Sequence, residues 1–230
     1  MLGILGGTSF LGLEQNREAT TEEVQTGYGP TTVLVADTFA MIARHGAGGY
    51  LPPHKINHHA HLKAFEELDV DRIVSFGSVG SLKALYQPGT ILVPDDCFAP
   101  FRVMTFQEDT LRFVVPGFDE EWRNEVLHTL RDSDLHAVDG GIYAETTGPR
   151  FETPSEIRFL SDYADVVGMT CASEAFLANE LDIPQVIIAV VDNYANGIGA
   201  EPLTGEAFQA QVKANQDRAV TAFEAVLRLA

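Results

Sequence analysis

The chain has 230 residues, 45% of them hydrophobic and 21% charged, with a formal net charge of −18. That balance excludes a disordered chain, and the length is that of one large domain, residues 1–230. The negative field excludes nucleic acid and anionic membrane as partners, and no apolar run approaches the ~18 residues that span a bilayer.

Two cysteines, Cys97 and Cys171, have no CxxC spacing, and Met1 leads directly into Gly3-Ile4-Leu5-Gly6 without a basic leader. The expectation is a cytoplasmic protein with neither a disulfide framework nor a cysteine metal site.

Strand-like and helix-like segments alternate along the chain, which predicts a single α/β domain with a mixed central β-sheet flanked by helices. Residues 2–5 read as a buried strand entering a glycine turn. Residues 32–43 read as a hairpin with Asp37 in its turn. Over residues 54–68, Ile56, Ala60, Ala64 and Leu68 recur at helical spacing after Pro52 and Pro53, so a helix is predicted there. Arg72–Phe76 is a strand entering a small-residue loop, Gly77-Ser78-Val79-Gly80-Ser81. Residues 90–93 are a strand, and 119–131 an amphipathic helix with Trp122, Val126, Leu127 and Leu130 on one face. Helices at 154–162 and 172–181 flank a strand at 165–168. Gln185–Val191, between Pro184 and Asp192, is the most continuous apolar run and predicts a central strand. The segment from Thr204 to the end is helical, with Thr204 as N-cap.

Several of these junctions carry chemistry. Gly6-Gly7-Thr8-Ser9-Phe10-Leu11-Gly12 follows a strand, so its free N–H groups suit a phosphate. It reads either as a dinucleotide fingerprint or as a cradle for free phosphate, with Thr8 donating a hydroxyl. A dinucleotide enzyme of that type needs Tyr and Lys four residues apart, and none of the six tyrosines has Lys at +4. Arg44-His45-Gly46 leaves a strand end, where a guanidinium fork can engage two oxygens of an anion. The Gly77–Ser81 loop could hold an anion or close over a sugar. Glu152 precedes a helix and either complements its dipole or accepts from an N–H on a planar ligand. Met169 and Thr170 follow a strand, and Asp192 and Asn193 end the central one, where ligands of open α/β sheets bind. His54, His58, His59 and His61 fall on one predicted helix, and His54 and His58 have the i, i+4 spacing that metals use. No Asp, Glu or Cys stands nearby to complete a set, so they read as a polar helix face and no metal is expected.

Taken together, these motifs resemble the trimeric nucleoside phosphorylases, the family of purine nucleoside phosphorylase and 5′-methylthioadenosine phosphorylase. The resemblance rests on Gly6-Gly7-Thr8, Arg44-His45-Gly46, Pro52-Pro53-His54-Lys55-Ile56-Asn57, Gly80-Ser81-Leu82, Gln87-Pro88-Gly89, Gly148-Pro149-Arg150-Phe151-Glu152-Thr153, and Val167-Gly168-Met169-Thr170 followed by Glu174. Their order and spacing match over nearly the whole chain.

The resemblance implies phosphorolysis of an N-glycosidic bond, with inorganic phosphate as a substrate and no cofactor. Phosphate attacks C1′ of a sugar with oxocarbenium character as the purine leaves. It assigns Thr8, Arg44, His45, the amide of Ser78, and Thr170 to phosphate. Gly77 stands where the family often has Thr, so Ser75 or Ser78 would have to compensate. Met169 maps to the sugar, and Val79, Gly80, Phe151 and Ala195 to the sugar and base. The catalytic candidates are Asn193, Glu152 and Asp192. The adenine-specific branch has Asp at the positions of Asn193 and Ala195 and Ser at that of Glu152. Here Glu152 can accept from N1–H of a 6-oxopurine, and the Asn193 amide can donate to O6 or N7 as electrons arrive on the base. A one-residue slip in register would put Asp192 at the base instead.

The inosine- and guanosine-cleaving enzymes place a His near the start of the last helix to bind the 5′-hydroxyl. Gly205 falls there, and Leu203 and Phe208 would make an apolar wall. An oxopurine reader with an apolar 5′ pocket resembles the 5′-methylthioinosine-cleaving branch. General purine nucleoside phosphorylase, 5′-methylthioadenosine phosphorylase and nucleoside hydrolase are the alternatives. The family implies a homotrimer or a dimer of trimers, with Val114 or Phe113 near the position that crosses into a neighbouring site.

Overall fold

The structure is a computed structural model that describes residues 1–7, 19–101 and 104–230. In chain order its elements are β1 (Leu2–Gly6), β2 (Thr20–Thr26), β3 (Gly29–Val35), β4 (Phe39–Ala43), α1 (His58–Glu67), β5 (Arg72–Ser81), β6 (Ile91–Val93), β7 (Asp96–Phe98), α2 (Glu120–Arg131), β8 (Ala137–Asp139), β9 (Ile142–Glu145), α3 (Pro154–Ser161), β10 (Val166–Gly168), α4 (Cys171–Glu180), β11 (Gln185–Tyr194), α5 (Gly205–Ala214) and α6 (Gln216–Val226). The eleven strands of the described residues belong to one mixed sheet.

β5 is the strand on which the sheet turns. It runs parallel to β1 from Arg72 to Ser75, parallel to β11 from Ile73 to Ser81, and antiparallel to β10 at Gly80 and Ser81. Between Ser75 and Gly80 the edge that β1 has left is not yet taken by β10. The carbonyl of Phe76 lies on that stretch and accepts instead from Arg44 Nη1 at 2.7 Å. A change of strand neighbours at the carboxyl ends of strands is where α/β sheets open a crevice.

Alternation along β5 divides the core. Val74 and Phe76 face one side and pack with Trp122 and Val126 of α2 and Phe223 and Val226 of α6. Ile73 faces the other, with Leu62 and Phe65 of α1 and Leu177 of α4. The helix starts follow from their caps. Asn57 accepts from Ala60 N, Asp119 from Trp122 N and Thr204 from Ala207 N, while Thr153 and Glu156 form a reciprocal capping box behind Pro154.

Four sequence expectations are corrected. Gly77–Ser81 is not a loop but the second half of β5, because β11 pairs with it throughout. Its glycines serve close approach inside the strand. A Cβ on Gly77 would lie 2.9 Å from Cys171 Sγ, and one on Gly80 3.1 Å from Asn193 Nδ2. The helix expected from residue 54 begins at His58, because Ile56 is extended and Asn57 caps; Pro53–Lys55 is a short 3-10 turn. His54 is therefore exposed and off the helix, while His58 and His61 are buried within it, so the four histidines share no face. The C-terminal helix is two helices meeting at Asn215. The strands β2, β7, β8 and β9 were not predicted. No helix among the described residues is long and apolar enough to cross a membrane.

Candidate active site

A cavity opens beside the bared edge of β5. Its walls are Arg44 and His45 after β4, Ser78, Val79 and Gly80 on β5, Phe151 and Glu152 before α3, Met169 and Thr170 after β10, Asn193 and Ala195 at the end of β11, and Leu203 and Phe208 at the start of α5. Every site residue expected from the sequence is brought to this one cavity except Thr8, Asp192 and Ser75. Thr8 lies outside the described residues, and Asp192 is not in the wall. Ser75 is also absent from it; its hydroxyl is buried without a partner among the described residues.

Arg44 is 1% exposed and faces Glu174, which is fully buried. Its Nε donates to Glu174 Oε1, and Nη2 donates to Glu174 Oε2 at 2.8 Å and to Leu5 O at 3.4 Å. With Nη1 donating to Phe76 O, four of the five guanidinium hydrogens have protein acceptors. The fork expected to grip an anion thus grips an internal carboxylate, and among the described residues one Nη1 hydrogen has no acceptor and is left for the cavity. Burial opposes both charges, but each holds the other ionised: the guanidinium pKa is raised and the Glu174 carboxyl lies well below the usual carboxylate range. Gly7 permits this approach, since a Cβ there would lie 2.8 Å from Nη1.

His45 stacks on Tyr50 with ring centroids 4.5 Å apart, and its Nδ1 is 2.8 Å from Leu51 O. A carbonyl can only accept, so Nδ1 carries the hydrogen and Nε2 presents a lone pair. Burial lowers the His45 pKa to about 4, against the pull of the Leu51 carbonyl, and the ring is neutral at neutral pH. Thr170 stands at the N-cap of α4 but does not cap it. That work falls to Tyr143, whose hydroxyl accepts from Thr170 N at 3.4 Å and Cys171 N at 3.2 Å, leaving the Thr170 hydroxyl at the cavity wall. Cys171, 3.6 Å from both Thr170 Oγ and Arg44 Nη2, joins the two. Burial pushes its thiol up to about 11, so it is unreactive packing behind the site.

At the other end, Glu152 is 6% exposed and accepts from Thr146 Oγ at 2.5 Å. Its carbonyl accepts from Asn196 Nδ2 at 3.0 Å, which ties this loop to the chain just beyond β11. One Asn193 amide hydrogen goes to Tyr194 O at 2.8 Å, and the other has no acceptor among the described residues and can meet a ligand. Phe151 and Phe208 meet edge to face at 5.7 Å.

Asp192 points the other way. A bulge between Val191 and Asn193 sets Asn193, not Asp192, opposite Gly80 of β5, and Asn193 takes the cavity. The Asp192 carboxylate accepts from Ser78 Oγ and, at 2.7 Å, from Asn215 Nδ2. Ser78 therefore presents its backbone, not its hydroxyl, to an anion. Sequence reasoning gave no role to Glu174, Tyr143 or Thr146. Glu174 could have been found, since it directly precedes the apolar stretch Ala175-Phe176-Leu177-Ala178 on a helix of small residues, where a buried carboxylate needs a cation.

The sequence profile of the phosphorylase superfamily matches residues 2–228. An Archaeoglobus fulgidus protein named as a probable 6-oxopurine nucleoside phosphorylase is 38% identical over 86% of this chain and 84% of its own. A Methanocaldococcus jannaschii protein named as a probable S-methyl-5′-thioinosine phosphorylase is 35% identical over 97% and 90%. The solved methylthioadenosine phosphorylase of Schistosoma mansoni superposes with a TM-score of 0.88 at 21% identity, covering 99% of this chain and 91% of that one, and so shares the fold.

Proposed function

Because the chain belongs to the phosphorylase superfamily, we propose that its cavity cleaves 6-oxopurine nucleosides with inorganic phosphate, and that 5′-methylthioinosine is the preferred substrate. The observation that carries this is the pairing of Glu152 with Asn193 in a cavity whose opposite end holds Arg44, His45 and Thr170. The reaction is a pentosyl transfer that yields hypoxanthine and 5-methylthioribose 1-phosphate.

Phosphate sits at the Arg44 end, taking the free Nη1 hydrogen, the Thr170 hydroxyl and the amide of Ser78, with Thr8 as a further donor. The neutral His45 ring accepts from a protonated phosphate oxygen. Met169 walls the sugar beside Val79 and Gly80. As the glycosidic bond breaks, its electron pair moves onto the purine. Asn193 donates to O6 or N7, where that density collects, and Glu152 accepts from N1–H, which a 6-aminopurine lacks. Leu203 and Phe208 enclose the 5′ substituent, and an apolar methylthio group suits them better than a hydroxyl. No cofactor takes part. We further place the protein in the cytoplasm as a homotrimer, with the exposed Leu111, Phe113 and Val115 among the apolar side chains a neighbouring subunit covers.

The test is base release from 5′-methylthioinosine, inosine and 5′-methylthioadenosine, each with and without phosphate. Phosphate-dependent release led by methylthioinosine is expected. Inosine in the lead would refute the apolar 5′ pocket, methylthioadenosine the base reading, and release without phosphate would make the protein a hydrolase.

A further inference from the structure

α5 covers the 5′ end of the cavity, yet none of its ten residues is buried. Core packing therefore does not fix where Phe208 stands, and the helix depends on its ends. Its first residue follows the Thr204 cap. Its last is followed by Asn215, which is 2% exposed and is the one deeply buried point of the joint with α6. The Asn215 amide donates to Val191 O at 3.0 Å and to Asp192 Oδ1 at 2.7 Å, and its oxygen accepts from Gln211 Nε2 of α5 at 3.2 Å.

Asp192 is fully buried, and among the described residues it has no cationic partner. Its two acceptor bonds join Ser78 on β5 to Asn215 behind α5. An ionisable group kept in such a place without a counter-charge must be held by its hydrogen bonds, and burial does raise its pKa against the pull of Ser78 and Asn215. A carboxylate is suited to the task because it accepts from both sides at once.

We propose that Asp192 is a positioning residue for 5′ specificity: through Asn215 it anchors α5 to β11, and so sets how closely Leu203 and Phe208 close on the 5′ substituent. It does not touch the substrate. This rests on the reading of the cavity as a nucleoside site with its 5′ end under α5.

The quantity to measure is the ratio of kcat/KM for 5′-methylthioinosine to that for inosine, with the phosphate KM recorded alongside. In Asp192→Ala the ratio falls about tenfold, the scale on which an apolar pocket discriminates small groups, through a raised KM for the methylthio substrate. Asn215→Ala removes only the α5 side of the link and gives the same fall. Ser78→Ala removes only the β5 side and leaves the ratio within twofold of the parent. Asp192→Asn keeps one acceptor and falls between. Unfolding in urea, followed by the fluorescence of Trp122, establishes that each variant is folded, and Asn215→Ala carries the test if Asp192→Ala is not. An unchanged ratio in folded Asp192→Ala and Asn215→Ala overturns the proposal, as does an equal fall in Ser78→Ala, which would mean general loosening. A parent protein that cleaves no nucleoside refutes the proposed function instead, so the two failures are distinct.

Discussion

Replacing Glu174 by Gln keeps the shape of the side chain and removes its charge. Arg44 then stays 1% exposed with no carboxylate beside it. Breaking a buried ion pair by removing one partner costs about 3–5 kcal/mol, because the remaining charge is left uncompensated. At about 2–4 °C per kcal/mol for a domain of this size, the melting temperature falls by about 10 °C. The assay is urea unfolding at fixed protein concentration. The single tryptophan, Trp122, is buried on α2 with its indole N–H on Ile73 O at 3.0 Å, so its fluorescence reports the loss of the core. The double variant Arg44→Met, Glu174→Leu removes both charges and is expected to be more stable than Glu174→Gln alone. The pH dependence gives a second sign. The folded carboxyl is depressed below its unfolded value, so its stabilisation is full above about pH 4.5 and is lost as the pH falls further. The Gln variant lacks that acidic loss at residue 174. A loss under about 1 kcal/mol in Glu174→Gln, or a double variant less stable than the single, would refute the pairing argument.

Asn193→Ala is expected to lower kcat/KM by roughly 10²-fold, as loss of one transition-state donor does, and Asn193→Asp to shift preference toward 6-aminopurines; base-release rates on both nucleoside classes decide. Burial lowers His45 to about 4 and His61 to about 3, so both rings are neutral in the fold while the unfolded chain protonates below pH 6.5. Stability should therefore hold above that pH and decline toward pH 4, by up to about 2.7 kcal/mol per pH unit for two protons, and urea midpoints equal at pH 7.5 and 5 would contradict this. In Gly168→Ala the added Cβ would overlap the Tyr143 hydroxyl. Displacing that hydroxyl uncaps α4, with an expected loss of about 2 kcal/mol or more in the same unfolding assay.

Several residues that reach the cavity were legible because they stand at a strand end or beside a glycine, and such positions carry their meaning in the sequence. Met169, Thr170 and Asn193 were found that way, whereas Val79, Phe151 and Ala195 came only from the family resemblance. What a side chain does there was less legible. Arg44 at a strand end has the chemistry to bind an anion, but its partner lies 130 residues away, on a helix whose register only the tertiary packing sets. The choice between Asp192 and Asn193 turned on a bulge, which one extra residue creates and periodicity does not reveal. Gly77–Ser81 read as a loop because small residues are poor strand formers, yet the neighbours that crowd Gly77 and Gly80 are themselves distant in sequence. The short strands β7 to β9 have three or four residues each, too few for alternation to show.

The forked pairing of β5 also orders how the molecule opens. The strand is flanked by β11 along Ile73–Ser81 and by β1 and β10 at its two ends, and five of its first six residues, from Ile73 to Gly77, are buried. Hydrogen exchange there requires the sheet to come apart, whereas among the described residues β2 pairs on one side only, with β3, and most of its residues are exposed. The slowest-exchanging amides of the protein should thus lie on the same strand that lines the cavity, and the floor of the site should outlast its rim as denaturant rises.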